Sequence, residues 1–371
     1  MVGVAGQAGA VNVSSGDVDA SLYGYVRLNA SYEIDEDISN STRAGSFGAV
    51  NTGAAEDNEV TGHFGADAVQ SRIGVTATHS SGVDIKVEGD FRGGTLRLRH
   101  AYGEYKGVLM GQTWSNYTSF VGYTSTLDFD SAAGLAGLQG RIAQARYTTG
   151  PLSFSLEENA NFGGILNVPR VDPTDPKSAS TEKSSLPTFT ARFQNSSGPL
   201  SLAAAALVKQ VEYDTGTSDD SAIGLGVFGA ATFQATDALS IQGVLSYSDG
   251  SNSYLYRSGN NFGAADAYVD GAGSLETISG YGANIGASLN TGPGSINAVV
   301  GYVENDFDDA QADGVAVATQ HESNTNVLVN YQWAPAESVM MGVEYGYFMV
   351  DEVGGDDGDA SRIQFAAQYN F

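Results

Sequence analysis

The chain has 371 residues, including 48 glycines, 8 prolines and no cysteine, and its formal net charge is −26. The lack of cysteine excludes a disulfide framework, a thiolate metal site and a cysteine nucleophile. An aromatic content of 10% argues against disorder, and the acidic balance argues against nucleic acid as a partner.

The chain contains no run of about 18 apolar residues, so a helical membrane span is excluded. Its longest apolar stretch, 202–208, ends at Lys209. A membrane β-barrel remains compatible with the sequence, because a barrel strand needs only about 10 residues with apolar side chains at every second position. The mean hydropathy of −0.15 fits such alternation.

The first ten residues are small and mostly apolar and end in Ala8-Gly9-Ala10, a pattern that resembles a signal-peptidase site. Residues 1–19 are therefore predicted to be a signal remnant or a short N-terminal extension, with a natural mature start as the alternative. Residues 20–371 are expected to form a single domain.

From residue 20 onward, apolar and polar side chains alternate with the two-residue period of a strand. In 83–88, for example, valine and isoleucine alternate with Asp84, Lys86 and Glu88. Sixteen such segments are predicted, at 20–33, 70–79, 83–91, 95–105, 107–115, 140–149, 151–160, 187–195, 199–213, 221–234, 238–249, 277–290, 294–304, 323–333, 337–349 and 360–371.

The connections between these segments alternate in length. Tight turns such as Lys106-Gly107 and Thr149-Gly150-Pro151 alternate with mostly long connections such as 34–69 and 250–276, although Arg92-Gly93-Gly94 is short. This alternation is typical of an up-and-down barrel in an outer membrane. The fold class is thus predicted to be all-β, a transmembrane 16-stranded antiparallel up-and-down β-barrel.

The carboxyl terminus fits a closed barrel, in which the first and last strands must pair. Ile363, Phe365, Ala367, Tyr369 and Phe371 share one face of the final segment. A terminal phenylalanine after alternating aromatics resembles the recognition signal of bacterial outer-membrane barrels. An ordinary edge strand that happens to end in phenylalanine is the alternative.

Most cations of the chain fall inside predicted strands, where a lipid-facing charge costs about 2–4 kcal/mol near the bilayer midplane. They are therefore expected to face a water-filled lumen, and Arg141 and Arg146 can share that face only with a bulge or a strand end between them. The predicted pore-lining and constriction residues are Arg27, Arg72, Lys86, Arg97, Arg99, Arg141, Arg192, Arg362, Trp114, Asp128 and Asp130.

A ring of cations in a narrow aqueous pore favours anions. The alternative is that the arginines pair with carboxylates such as Asp84, Glu88 and Glu104, brace the wall and confer no selectivity. The segment from Thr118 to Gln139 is expected to fold inward as loop 3 and to form the constriction.

The stretch Gly111-Gln112-Thr113-Trp114-Ser115, the arginine-bearing fourth strand and the terminal Tyr369-Asn370-Phe371 resemble the DcaP-like porins of the bacterial outer membrane. The Pro-Glu-Phe-Gly-Gly loop signature of general porins is absent. The resemblance implies a homotrimer with a basic lumen, surrounded by lipid bilayer and lipopolysaccharide, that takes up dicarboxylates and other small anions without a cofactor.

Other functions have weaker support. The stretch 224–229 matches a dinucleotide fingerprint but lies within an alternating strand, and the four histidines lack metal-ligand or triad spacing. The acids between Asp306 and Asp313 lack a calcium-loop pattern, so no metal site is assigned. The sequence therefore predicts a passive, anion-favouring diffusion channel. The alternatives are a non-selective porin, a plugged structural or adhesin barrel, or an outer-membrane hydrolase.

Overall fold

The computed structural model describes residues 11–169 and 181–371. It contains sixteen long barrel strands, as predicted. In chain order these are β1 (Val18–Glu33), β2 (His63–Asp67 and Arg72–His79), β3 (Val83–Asp90), β4 (Arg97–Tyr105), β5 (Val108–Trp114), β6 (Arg141–Thr149), β7 (Leu152–Glu157), β8 (Thr188–Ser197), β9 (Leu200–Asp214), β10 (Asp219–Gln234), β11 (Leu239–Asp249), β12 (Ser279–Asn290), β13 (Gly294–Asn305), β14 (His321–Ala336), β15 (Val339–Glu352) and β16 (Asp357–Asn370).

The strands form a closed antiparallel barrel. Each strand pairs with the next in sequence, and β1 pairs on its other edge with β16, from Tyr25 opposite Asn370 to Glu33 opposite Arg362. Closure satisfies the backbone groups of both terminal strands, as a hydrocarbon environment requires. A short strand, Val11–Ser15, pairs with the first residues of β1, so the sheet begins within the predicted N-terminal segment.

The outer surface of the barrel is apolar. Ile85, Leu245 and Ile285 are 47%, 72% and 65% exposed, whereas Lys86 between two exposed neighbours points inward. Such an apolar band on alternating residues suits contact with lipid. Among the described residues, no helix has the length and apolar character that would let it cross a bilayer.

Connections at one end of the barrel are tight turns throughout, close to the predicted positions. The turn expected at 334–336 lies at 337–338 instead, because the preceding strand continues to Ala336. At the other end, three connections are also short: 91–96, 215–218 and 353–356. At 353–356 the neighbouring strands continue far beyond the apolar band, so that Asp351 pairs with Asp357 within the sheet. Most residues from Asp351 to Asp359, which lie between two predicted segments, therefore belong to strands.

The long connections fill and cover the barrel. We name them loop 1 (34–62), loop 3 (115–140), loop 4 (158–187), loop 6 (250–278) and loop 7 (306–320). Parts of loops 4 and 6 form a small separate sheet from Ile165–Leu166, Ala267–Val269 and Leu275–Thr277. In loop 7, Asp308–Ala312 is a short helix. Residues 251–259 of loop 6 are buried inside the barrel, an insertion that was not predicted.

Candidate functional site

Loop 3 folds into the barrel, as predicted, and carboxylates on the inner wall hold its first residues and its midpoint. The Glu157 carboxylate accepts hydrogen bonds from the Ser115 hydroxyl and the Asn116 backbone N–H, both at 2.6 Å. On the opposite wall, Glu344 accepts from the backbone N–H groups of Leu127 at 2.9 Å and Asp128 at 2.7 Å. Charge-assisted hydrogen bonds of this kind are among the strongest in proteins.

The middle of loop 3 lies directly on β12, β13 and β14. The Asn326 side chain accepts from the Ala133 N–H at 3.0 Å, and the Asn284 side chain donates to the Gly134 carbonyl at 2.7 Å. Gly134 has a φ of +66°, and a side chain there would come within 2.6 Å of the Ala283 backbone. Glycine is therefore required for this approach, and the loop closes that half of the lumen.

The other half of the lumen remains as a cavity of about 1060 Å³ between loop 3 and the wall of β1–β6. Its lining is divided: loop 3 contributes apolar side chains such as Phe120, Leu127 and Phe129, and the barrel wall contributes charge. Six arginines line the cavity, against three carboxylates. They are Arg27, Arg72, Arg92, Arg97, Arg99 and Arg141, against Asp128, Asp130 and Glu158.

A bulge in β4 sets the position of the most buried of these arginines. Glu88 pairs with His100 and Gly89 with Leu98, so Arg99 is an extra residue without a partner on β3. Both Arg99 and His100 consequently face inward. Sequence alternation places Arg99 on this face, but it does not reveal that the next residue shares it.

Two carboxylates on β3 partly neutralise the arginine wall. Arg99, only 1% exposed, bonds to Glu88 at 2.9 Å and to Asp90 at 2.7 Å. Arg97 forms a two-bond contact with the same Asp90 carboxylate, and Arg72 lies 3.9 Å from Glu88. The alternative expectation of wall-bracing pairs is thus met for three arginines, although with Asp90 in place of Asp84 and Glu104.

Other arginines of the cavity have less compensation. Arg27 donates to the Asn29 side chain and to the Leu127 carbonyl, both uncharged groups. Arg141 forms none of the ion pairs found among the described residues, and its guanidinium lies 4.6 Å from the centre of the Trp114 ring. Cation–π contact holds a guanidinium without cancelling its charge, so positive charge remains available to a solute.

Eight of the eleven predicted pore-lining residues meet in the cavity. They are Arg27, Arg72, Arg97, Arg99, Arg141, Trp114, Asp128 and Asp130. The other three lie elsewhere on the inner face: Lys86 is 3.5 Å from Glu88, Arg192 donates to the Thr118 carbonyl of loop 3, and Arg362 is buried. Arg362 pairs with Glu33 at 3.1 Å and with Asp128 at 3.4 Å.

The predicted conflict between Arg141 and Arg146 is resolved by a strand end. Ile142 and Gln144 occupy the inner face of β6, in phase with Arg146. Arg141 is the first residue of the strand and reaches the cavity from the end of loop 3. This matches the prediction that one of the two arginines lies at a strand end.

Some functional residues escaped the sequence reasoning. Arg92 lines the cavity from a connection, where alternation gives no orientation. Loop 6 contributes Tyr256, whose hydroxyl donates to the Asp130 carbonyl, and Arg257, which donates to the carbonyls of Ser131 and Gly45. The tyrosines of loop 6 were the available signal, since such residues in an otherwise polar loop need a buried environment.

The structure also locates the groups considered for chemistry. His100 is buried, with Nδ1 2.9 Å from the Thr113 hydroxyl and Nε2 3.8 Å from Glu88. The dinucleotide-like stretch 224–229 lies inside β10. Within residues 11–169 and 181–371, the acids from Asp306 to Asp313 do not converge on a common point, whereas Glu36, Glu56 and Glu59 of loop 1 do.

No protein-family model and no curated protein sequence matches the chain. Solved structures do. The outer-membrane channel DcaP of Acinetobacter baumannii is similar with a TM-score of 0.78 and 27% identity, over 96% of this chain and 99% of that one.

Two further structures share the fold. OmpT, an outer-membrane protein of Vibrio cholerae, has a TM-score of 0.58 at 12% identity, covering 97% of this chain and 99% of OmpT. An anion-selective porin from Comamonas acidovorans has a TM-score of 0.58 at 11% identity, covering 95% and 100%. From the closed barrel, the inward loop 3 and these similarities, the chain is a porin of the bacterial outer membrane that resembles the DcaP channel.

Proposed function

We propose that this porin is a passive diffusion channel that favours small anions, and that it performs no chemical step. The observation that carries the proposal is the charge imbalance in the cavity, which is lined by six arginines and three carboxylates. Glu88 and Asp90 in the wall pair with Arg72, Arg97 and Arg99 but leave the others without a carboxylate partner on β3. Two of the three lining carboxylates already have partners, because Asp128 contacts Arg362 and Asp130 accepts from Asn40. A permeating anion therefore meets guanidinium groups that are not fully neutralised.

The size of the effect follows from the distance of closest approach. An anion about 4 Å from one guanidinium in a water-like dielectric gains about 1 kcal/mol, and a cation loses as much. Several arginines act on the same short path, so their contributions reinforce one another. At about 0.1 M salt the Debye length is about 10 Å, so screening leaves most of this attraction intact.

Dicarboxylates are the proposed preferred solutes. A second carboxylate on the same small molecule can contact another arginine of the wall, and guanidinium groups match carboxylates in shape. The apolar side of the cavity, with Phe120, Leu127 and Phe129, gives the carbon skeleton a surface to slide along. The resemblance of the chain to the DcaP-like porins, a family associated with dicarboxylate uptake, motivates this choice.

A homotrimer in a lipopolysaccharide-containing bilayer is the proposed assembly. Porins of this fold insert as closed units whose apolar outer faces contact lipid or one another. Conductance steps that occur in threes would support the trimer, whereas single independent steps would contradict it.

Reversal potentials in planar bilayers test the proposed selectivity. With full-length protein and a KCl gradient, we expect stable conductance steps. The reversal potential should be shifted from zero toward the equilibrium potential of chloride. Adding succinate should reduce chloride current more than acetate does at equal concentration. A cation-selective reversal potential contradicts the proposal, a zero potential favours a non-selective porin, and the absence of steps favours a plugged barrel.

The hydrolase alternative rests on His100, whose ring contacts a threonine hydroxyl and a glutamate. The His100 ring is buried, so an ester substrate has little access to it. Incubation of the detergent-purified protein with short-chain nitrophenyl esters provides the test. We expect the rate to equal that of a His100→Phe variant, and a rate that depends on His100 would contradict the proposal of a purely passive channel.

A further inference from the structure

Three glutamates of loop 1 come together, one from the start of the loop and two from near its end. Glu36 lies just after β1, Glu56 lies in the 3-10 helix Gly53–Asn58, and Glu59 follows that helix. One carboxylate oxygen from each lies within 4.8 Å of those of the other two. The loop therefore folds back on itself around a cluster of negative charge.

The cluster lacks the partners that buried carboxylates normally have. Glu36 is only 6% exposed, and its Oε1 accepts from the Asn51 N–H at 2.7 Å. Its Oε2, and the Oε2 atoms of Glu56 and Glu59, are buried without a hydrogen-bond partner. None of the ion pairs in the described part of the chain involves these residues. Buried anionic oxygens left in this state are costly unless a cation or a donor completes them.

Neighbouring groups add to the negative field instead of relieving it. The Glu36 and Glu59 carboxylates lie within hydrogen-bond contact of each other, which requires a proton or a cation between their oxygens. Asp35 and Asp359 are further carboxylates that act on Glu56. The surroundings thus favour occupancy by a positive charge.

The donor set identifies the class of cation. All three ligands are carboxylate oxygens, which hard divalent cations prefer over softer metals. The three oxygens lie within 4.8 Å of one another, so one divalent cation can contact all of them after small side-chain movements. Ca²⁺ accepts several carboxylates at about 2.3–2.6 Å in flexible geometry, whereas Mg²⁺ requires near-ideal octahedral geometry and keeps several waters, so a cluster of three carboxylates suits Ca²⁺ better.

We propose that loop 1 binds one Ca²⁺ ion through Glu36, Glu56 and Glu59, and that the ion fastens this loop over the channel mouth. The consequence follows from what the loop contacts. Glu56 lies 3.5 Å from the Asp359 backbone nitrogen of β16, and Phe47 of the same loop packs edge-on against Phe348 of β15. An ion at the cluster therefore connects both ends of loop 1 to the barrel wall.

Isothermal titration of the full-length, lipopolysaccharide-free protein in detergent, after chelation, tests the proposal with CaCl₂ and MgCl₂ as probes. We expect one Ca²⁺ per chain, weaker Mg²⁺ binding, and at least about tenfold weaker Ca²⁺ binding in Glu36→Gln, because affinity follows the number of ligand charges. The matched control is Glu322→Gln, in another acidic cleft at the same end of the barrel, which should bind as wild type does.

Hydrogen exchange of peptides covering residues 34–62 gives a second readout. Calcium should slow exchange there in wild type and in Glu322→Gln, but not in Glu36→Gln. If Glu36→Gln fails to show the heat-modifiable mobility of a folded barrel, Glu59→Gln takes its place. The proposal is overturned if no saturable site is found, if Mg²⁺ binds as tightly as Ca²⁺, or if the variant and the control lose affinity equally.

Discussion

Arg141 offers the cleanest perturbation of the arginine wall. Its guanidinium lines the cavity and stacks on Trp114, yet it forms no ion pair among the described residues. Replacing it with glutamine therefore removes one positive charge without leaving a carboxylate unpaired. Arg99→Gln would also remove one positive charge, but Glu88 and Asp90 would both lose a partner in the barrel wall. Its effect on selectivity could not be separated from a loss of stability.

The magnitude follows from the distance at which a solute passes. Loss of one charge about 4 Å from the path removes about 1 kcal/mol of attraction for an anion. Since 1.4 kcal/mol corresponds to a factor of ten, anion occupancy at this point should fall about fivefold. The anion-to-cation permeability ratio should fall by at least a comparable factor, because cations lose repulsion at the same time.

Reversal potentials of single channels in a KCl gradient measure this ratio directly. The control is Lys106→Gln, which makes the same charge change at an exposed turn outside the cavity. We expect a clear shift toward zero for Arg141→Gln and an unchanged potential for Lys106→Gln. Equal shifts in the two variants, or none in either, would refute the assignment of selectivity to the cavity arginines.

Two further predictions concern the elements that narrow the lumen. Glu344→Ala removes the acceptor of two loop 3 N–H groups, at about 1.5–3 kcal/mol each, so single-channel conductance should become larger and noisier. Glu337→Ala, at an exposed turn, should leave the conductance unchanged, and a quiet, wild-type trace from Glu344→Ala would count against the anchoring role. Lys209→Met leaves Asp266, 2.7 Å away, as a buried unpaired charge, so the free energy of unfolding measured by heating in detergent should fall by about 3–5 kcal/mol. The double variant Lys209→Met with Asp266→Asn should recover part of this loss. Equal stability of the single variant and wild type would contradict the buried pair.

The transmembrane part of the fold was predictable because lipid imposes a simple rule. An outer face in hydrocarbon and an inner face in water force alternation, so Val83 to Asp90 could be assigned from its residues alone. Tight turns were predictable for a local reason as well. Gly107 and Gly150 adopt positive φ angles that other residues disfavour.

The lumen was only partly predictable, since its contents come from contacts distant in sequence. Alternation showed which way Arg97 and Arg99 point, but not that Asp90 would pair with both. The bulge that brings His100 inward is a feature of register between two strands. A single strand read in isolation carries no information about such a shift.

The long loops were the least predictable elements. Loop 6 enters the barrel because Tyr254 and Arg257 find partners on loops 1, 3 and 4, none of which has a periodic pattern of its own. The same limitation hid the glutamate cluster, in which Glu36 and Glu56 meet only through the return of the chain. Acidic residues adjacent in sequence, as in loop 7, were the visible signal, and no metal site was assigned to them.

Thiol modification shows whether the arginine-lined cavity is filled with water and favours anions. The chain has no cysteine, so Thr126→Cys places a single thiol at the cavity. The rates at which an anionic and a cationic methanethiosulfonate modify this thiol are each divided by the rate for a free thiol. We expect faster normalised modification by the anionic reagent, with a fall in conductance. A thiol that resists both reagents would show that the cavity is closed to water, and one that reacts faster with the cationic reagent would show that it does not favour anions.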